Sequence, residues 1–270
     1  MHLRSIRRNW SSVLQATIVV LGCVDMGKVS ACAQEPGSSD WALIRDAFQP
    51  PEPWRDKFGN YRSPLLGNDG RMATSEGDWK LRRSELLSDW HALMGTWPAL
   101  ITDPKLEVLE EQRRENFRQL KVRFLCTPNE LTTGYLLIPD GEGKRPAVLT
   151  VYYEPETSIG WDKEGRDFGL HLARRDFVVL SLGTTEATEA KTFSLYYPSI
   201  ENAQVQPLSM LAYAAANAWH VLAARPEVDT ERIGVVGHSF GGKWAMFASC
   251  LFDKFAAAAW SDPISRRMRR

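Results

Sequence analysis

The stretch Ile233-Gly234-Val235-Val236-Gly237-His238-Ser239-Phe240-Gly241-Gly242-Lys243-Trp244-Ala245 constrains the fold more than any other part of the chain. A β-branched apolar run precedes it, and Lys243 to Leu251 follow with helical periodicity. The segment therefore predicts a buried strand, a tight turn and a helix. Such a turn can carry a serine at its tip only if the residues two before and two after are small, because strand and helix pass each other closely there. Gly237 and Gly241 meet that need. The helix start also directs backbone N–H groups without intrahelical partners at the serine, where negative charge can be stabilised. The pattern reads as a nucleophile elbow, with Ser239 as nucleophile and the Phe240 N–H as oxyanion donor.

The rest of the chain supplies elements that suit such an elbow. Phe117 to Cys126 and Leu131 to Pro139 read as a hairpin, joined through Thr127-Pro128-Asn129-Glu130. Pro146 to Tyr153 and Phe177 to Leu182 are nearly continuous apolar runs, the form of strands buried on both faces of a parallel sheet. Helices are expected from about Lys163 to Arg174 and from Pro207 to Ala224, and a further strand from Ala256 to Trp260. A hairpin followed by alternating strands and helices predicts the α/β class, with a doubly wound, mostly parallel sheet. Ahead of it, Asp78 is expected to cap a helix running to Met94, with Trp79, Leu86, Leu87, Trp90, Leu93 and Met94 at helical spacing. Glu35 to Gly77 shows no sustained period and reads as an irregular arm.

On these residues the chain resembles the α/β-hydrolase superfamily. Gly-His-Ser-Phe-Gly-Gly-Lys followed by Trp-Ala is most similar to dienelactone-hydrolase-like and acetyl xylan esterase-like carbohydrate esterases. The resemblance implies a serine hydrolase of carboxylic esters, of the acyl or uronoyl esters of polysaccharides. It runs from about Arg118 to Pro263, so the fold is expected to be truncated after the strand following the nucleophile helix. Three blocks result: residues 1–33, residues 34–115 as arm and helix, and residues 116–270 as an incomplete α/β-hydrolase domain.

The superfamily's chain order is serine, then acid, then histidine. After Ser239 the acids are Asp253 and Asp262, and no histidine follows. Asp262, in Ser261-Asp262-Pro263 at the end of a strand, is the candidate acid or else a turn cap. His238 adjoins Ser239, but neighbours around a sharp turn point their side chains apart, so it reads as an elbow-packing residue rather than a base. His91 reads as a packed or surface histidine. Tyr153 and Glu154, after the strand ending near them, are candidates for the second oxyanion donor or for substrate contact. Lys243, one helical turn beyond Ser239, is either a cation facing the substrate or a helix lysine with a wet head. The long connection through Thr184, Thr185, Glu186, Tyr196 and Tyr197 could form a rim over the site.

With 33 basic and 33 acidic residues, nothing favours nucleic acid as partner. Four scattered cysteines exclude a disulfide framework, and Cys126 and Cys250 read as small buried hydrophobes. No metal or cofactor motif occurs, so none of either is expected. Residues 1–33 have the build of a secretory leader: Arg4, Arg7 and Arg8, then an apolar core over 13–24 too short to span a bilayer, then Ala31-Cys32-Ala33. Cys23 and Cys32 each end a loose lipoprotein box, so a lipid anchor at either is an alternative to simple cleavage. Export is expected in both cases. Two other functional readings stay open: a prolyl-oligopeptidase-like peptidase, and an inactive remnant whose open sheet exposes an edge.

Overall fold

The computed structural model describes residues 45–57, 59–128, 130–161, 165–183 and 195–261. Two units are distinguished, divided between Arg62 and Ser63. The described part of the first carries only two 3-10 turns, Arg45–Phe48 and Glu52–Trp54.

The second unit contains a seven-stranded sheet of β1 (Glu107–Arg114), β2 (Phe117–Thr127), β3 (Glu130–Pro139), β4 (Arg145–Tyr152), β5 (Val178–Gly183), β6 (Val228–His238) and β7 (Ala257–Ser261). Their spatial order is β1-β2-β3-β5-β4-β6-β7. The first three strands and β5 pair antiparallel, whereas β5, β4, β6 and β7 run parallel. The expected hairpin is β2–β3, and the expected buried strands are β4, β5 and β6. One strand was not expected: β1 is a run of charged residues, almost all exposed, that pairs along the outer edge of β2.

Among the described residues of the unit the helices are α1 (Glu76–Met94), α2 (Pro155–Ser158), α3 (Phe168–Ala173), α4 (Pro207–Ala223) and α5 (Phe240–Leu251). Both sheet faces are covered, as a doubly wound sheet requires. On one face α4 and α5 close the main core, with Leu211, Leu222, Trp244 and Ala248 against Leu136, Leu149, Leu180 and Ile233. Alanines at 212, 214, 215, 216 and 218 keep α4 thin enough to lie against the strands, and all are fully buried. On the other face Ile159, Leu170 and Ala173 pack on Phe117, Tyr135, Leu137 and Val179.

Several expectations are corrected. Of the helix expected from Lys163 to Arg174, Lys163 and Glu164 lie outside the described residues, and the described part is helical only over α3. The extra turn α2 is started by Pro155, whose fixed φ suits a first helical position. Cys126 is buried and its thiol pKa is pushed up by that burial, but Cys250 is exposed. In α1, Trp79, Trp90 and Leu93 are largely exposed, and only Arg82 and Met94 are buried. The helix is tied to α5 by a Trp90–Phe247 ring contact at 6.4 Å and by Arg83 donating to the Cys250 carbonyl at 2.6 Å.

Asp78 is not the cap of α1; Ser75 is. Its hydroxyl accepts from Asp78 N–H, and the Asp78 carboxylate accepts from Ser75 N–H, each at 3.1 Å, closing a capping box. Bonds from the Thr74 N–H and from the Ser75 and Thr74 hydroxyls hold the exposed Asp78 carboxyl below the usual carboxylate range. Ser75→Ala is expected to cost about 1 kcal/mol at neutral pH. A depressed carboxylate contributes fully above the unfolded value of about 4, and that contribution is lost as pH falls through the lower folded value. The Ser75→Ala penalty, read from paired melts, should therefore shrink as pH drops from about 6 to about 3. A constant penalty would show that the two groups are not coupled.

Candidate active site

Ser239 stands between β6 and α5 with φ 55° and ψ −114°, a backbone conformation outside the regions open to ordinary L-residues. Strain of this kind persists only where the surroundings impose it. Here they do. A Cβ added at Gly237 would lie 2.0 Å from the Gly241 carbonyl oxygen, and one at Gly241 would lie 2.0 Å from the Val151 carbonyl oxygen. Strand and helix thus touch backbone to backbone on both sides of the serine. The Ser239 N–H donates to the Ser261 carbonyl at 2.9 Å, so the end of β7 clamps the turn from outside.

The register sets what flanks the nucleophile. Val151 of β4 lies opposite Gly237 of β6, so Tyr153, two residues on, comes level with Ser239. Its ring meets the Phe240 ring at 5.4 Å. Phe240 is the first residue of α5, one of the positions whose N–H has no intrahelical acceptor. Glu154 occupies the cap position of α2 without capping it, and its Oε2 is buried with no hydrogen-bond partner among the described residues. Lys243 is exposed on the first turn of α5.

The four described histidines have other engagements. His238 Nδ1 lies 2.8 Å from the Ser261 hydroxyl, and its ring stacks on Tyr152 at 6.3 Å and 18°. His91 packs edge-on against Trp97 at 4.9 Å. His171 lies 3.4 Å from Asp167. His220 packs against Trp219 and Phe252, and burial, then Lys254, pulls its pKa down. Asp262, Cys23, Cys32, Thr184, Thr185 and Glu186 lie outside the described residues.

Two residues near the elbow carried no sequence signal. Ser261 receives both the Ser239 N–H and the His238 ring, a role set by β7 pairing in register with β6. Arg166, in the loop before α3, donates to the Tyr152 hydroxyl and lies 5.7 Å from the centre of that ring. Among the described residues no group of three or more His, Cys, Asp or Glu is arranged to hold a metal, and no helix is long and apolar enough to cross a membrane.

No protein-family model matches the sequence, and no curated protein matches it. Solved structures do. A glucuronoyl esterase from Solibacter usitatus aligns with a TM-score of 0.58 at 17% identity, over 74% of this chain and 63% of its own. A promiscuous CE15 esterase from a marine bacterial metagenome gives 0.60 at 16% identity, over 74% and 62%. A candidate acetyl xylan esterase from Bacteroides fragilis gives 0.53 at 17% identity, over 83% and 61%. The chain spans about three-fifths of the length of these structures. With its elbow at Ser239 and its mostly parallel seven-stranded sheet, the chain has the α/β-hydrolase fold of these carbohydrate esterases.

Proposed function

We propose that the chain is the nucleophile-bearing part of an exported serine hydrolase that cleaves carboxylic esters of polysaccharides, of acyl or uronoyl type. The observation that carries this reading is the strained Ser239 at the tip of a glycine-flanked turn, in a fold shared with carbohydrate esterases. Ser239 Oγ attacks the ester carbonyl. The Phe240 N–H, with a second donor from Tyr153 or Glu154, receives the oxyanion at the positive end of α5. Expulsion of the alcohol leaves an acyl-serine, which water then cleaves.

A serine hydroxyl needs a base within hydrogen-bond reach. The four described histidines contact other side chains, and Asp262 is the candidate acid. Lys243 faces the polar part of the substrate, and residues 1–33 direct export, with Cys23 or Cys32 the position of any lipid anchor.

Intact-mass trapping tests the substrate class. The protein is incubated with an aryl acetate, a methyl uronate ester and a proline-containing amide. Adduct on Ser239 is expected from the esters and at least about a hundredfold less from the amide, which lacks a good leaving group for a weakly activated serine. Preferential acylation by the amide would replace this reading with a peptidase.

A further inference from the structure

A groove of about 420 Å³ opens on the α2–α3 side of β1, β2 and β3. Its floor and rim are Glu110, Glu111, Gln112, Gln119, Lys121, Tyr135 and Trp161. Cross-strand pairing places them: Gln112 lies opposite Gln119, Glu110 opposite Lys121, and Lys121 opposite Tyr135. β3, the side of the groove nearer Ser239, is three strand positions from β6, about 14 Å at ordinary strand spacing, so this groove is separate from Ser239.

Its construction is specific. Trp161 stays 49% exposed, although it is a large apolar side chain. The Arg114 guanidinium lies 5.9 Å from the centre of that ring, and Tyr135 meets it edge-on at 5.2 Å. Arg114 is itself fixed, donating to the Ile159 carbonyl and to Gln119 Oε1, both at 2.8 Å. Tyr135 donates to Glu156 at 2.9 Å. The indole therefore packs against Arg114 and Tyr135 with about half of its surface open, beside two amides, two carboxylates and an ammonium.

We propose that this groove is a second binding site, which takes a pyranose unit of a neutral polysaccharide. A pyranose offers a flat patch of C–H groups, electropositive enough to lie on an aromatic face, and a rim of hydroxyls that both donate and accept. The exposed Gln112 can serve hydroxyls in both senses, Glu110 accepts and Lys121 donates, while the buried Gln119 holds Arg114 in place. Each charge has a counter-charge, Lys121 4.0 Å from Glu110 and Arg118 3.2 Å from Glu111, so no lone charge in the groove selects an ionic ligand. The volume falls in the range of small-ligand sites. A polymer held here while another part of it reaches Ser239 would stay on the protein between encounters.

The proposal rests on the polysaccharide-ester reading only for its choice of ligand, and its test needs no turnover. Ser239→Ala protein is run through native gels containing soluble arabinoxylan, hydroxyethylcellulose or galactomannan. Retardation is expected in at least one. Trp161→Ala in that background should weaken it at least about tenfold, Gln112→Ala about threefold, and Trp161→Tyr should keep most of it. Gln112 is exposed, so its replacement leaves the fold intact and the test stands even if Trp161→Ala misfolds. No retardation in any polymer, or retardation indifferent to both Trp161→Ala and Gln112→Ala, would overturn the site. Either outcome leaves the reading of Ser239 untouched, because the nucleophile is absent throughout.

Discussion

Fluorophosphonate labelling of this 270-residue chain is expected to be slow, to depend wholly on Ser239, and to accelerate when free imidazole is added. The strained elbow presents the hydroxyl and the α5 N-terminus receives the developing oxyanion, but His91, His171, His220 and His238 are each engaged with other side chains. Oxyanion binding without a base still leaves roughly 10³–10⁴ over water in serine hydrolases stripped of their triad. A positioned general base supplies a further 10² to 10⁴ or so. Imidazole at about 0.1 M should recover a small part of that, at least about tenfold in labelling rate, since it lacks the effective concentration of a tethered group. Labelling that survives Ser239→Ala would remove the nucleophile assignment. Fast, Ser239-dependent labelling that ignores imidazole would instead show that the chain already carries a working base.

The second large effect belongs to the glycines around that serine. Gly241→Ala should destabilise the protein by about 3 kcal/mol or more, because its Cβ would sit 2.0 Å from the Val151 carbonyl oxygen, and a backbone in the middle of a sheet cannot give way as a side chain can. Gly237→Ala meets the Gly241 carbonyl at the same distance and should behave alike. Gly77→Ala is the control, since there the nearest atom to an added Cβ is Ser75 Oγ at 3.7 Å, an ordinary contact, and alanine favours the helix. Denaturant midpoints of the three variants report this directly. A Gly241→Ala protein as stable as the parent would mean that strand and helix do not pass as closely as described.

The demands at Ser239 are local, and so they were legible in the sequence. Whether a serine can stand on a strand–turn–helix depends on the size of residues two places away, and Gly237 and Gly241 answer that without reference to the rest of the chain. The buried strands β4, β5 and β6 were legible for a similar reason, because burial on both faces leaves an unbroken apolar run. Ser75 and Asp78 share one capping box, so the spacing alone does not separate the cap from its partner.

What the sequence by itself determined is therefore the elbow, the class of fold and most of its elements. Only the tertiary structure decided which strands became neighbours, and with them the partners of single side chains. β1 is a charged run with no apolar alternation, and it becomes a strand because the edge of β2 offers backbone groups to pair with. Ser261 meets His238 because β7 runs in register with β6. Arg166 reaches Tyr152 from a loop with no period of its own, and Trp161 becomes a platform because Arg114, 47 positions away in the chain, lies against it. Such contacts depend on strand order and register, which are set by the packing of the whole core, and no short window of sequence contains that information.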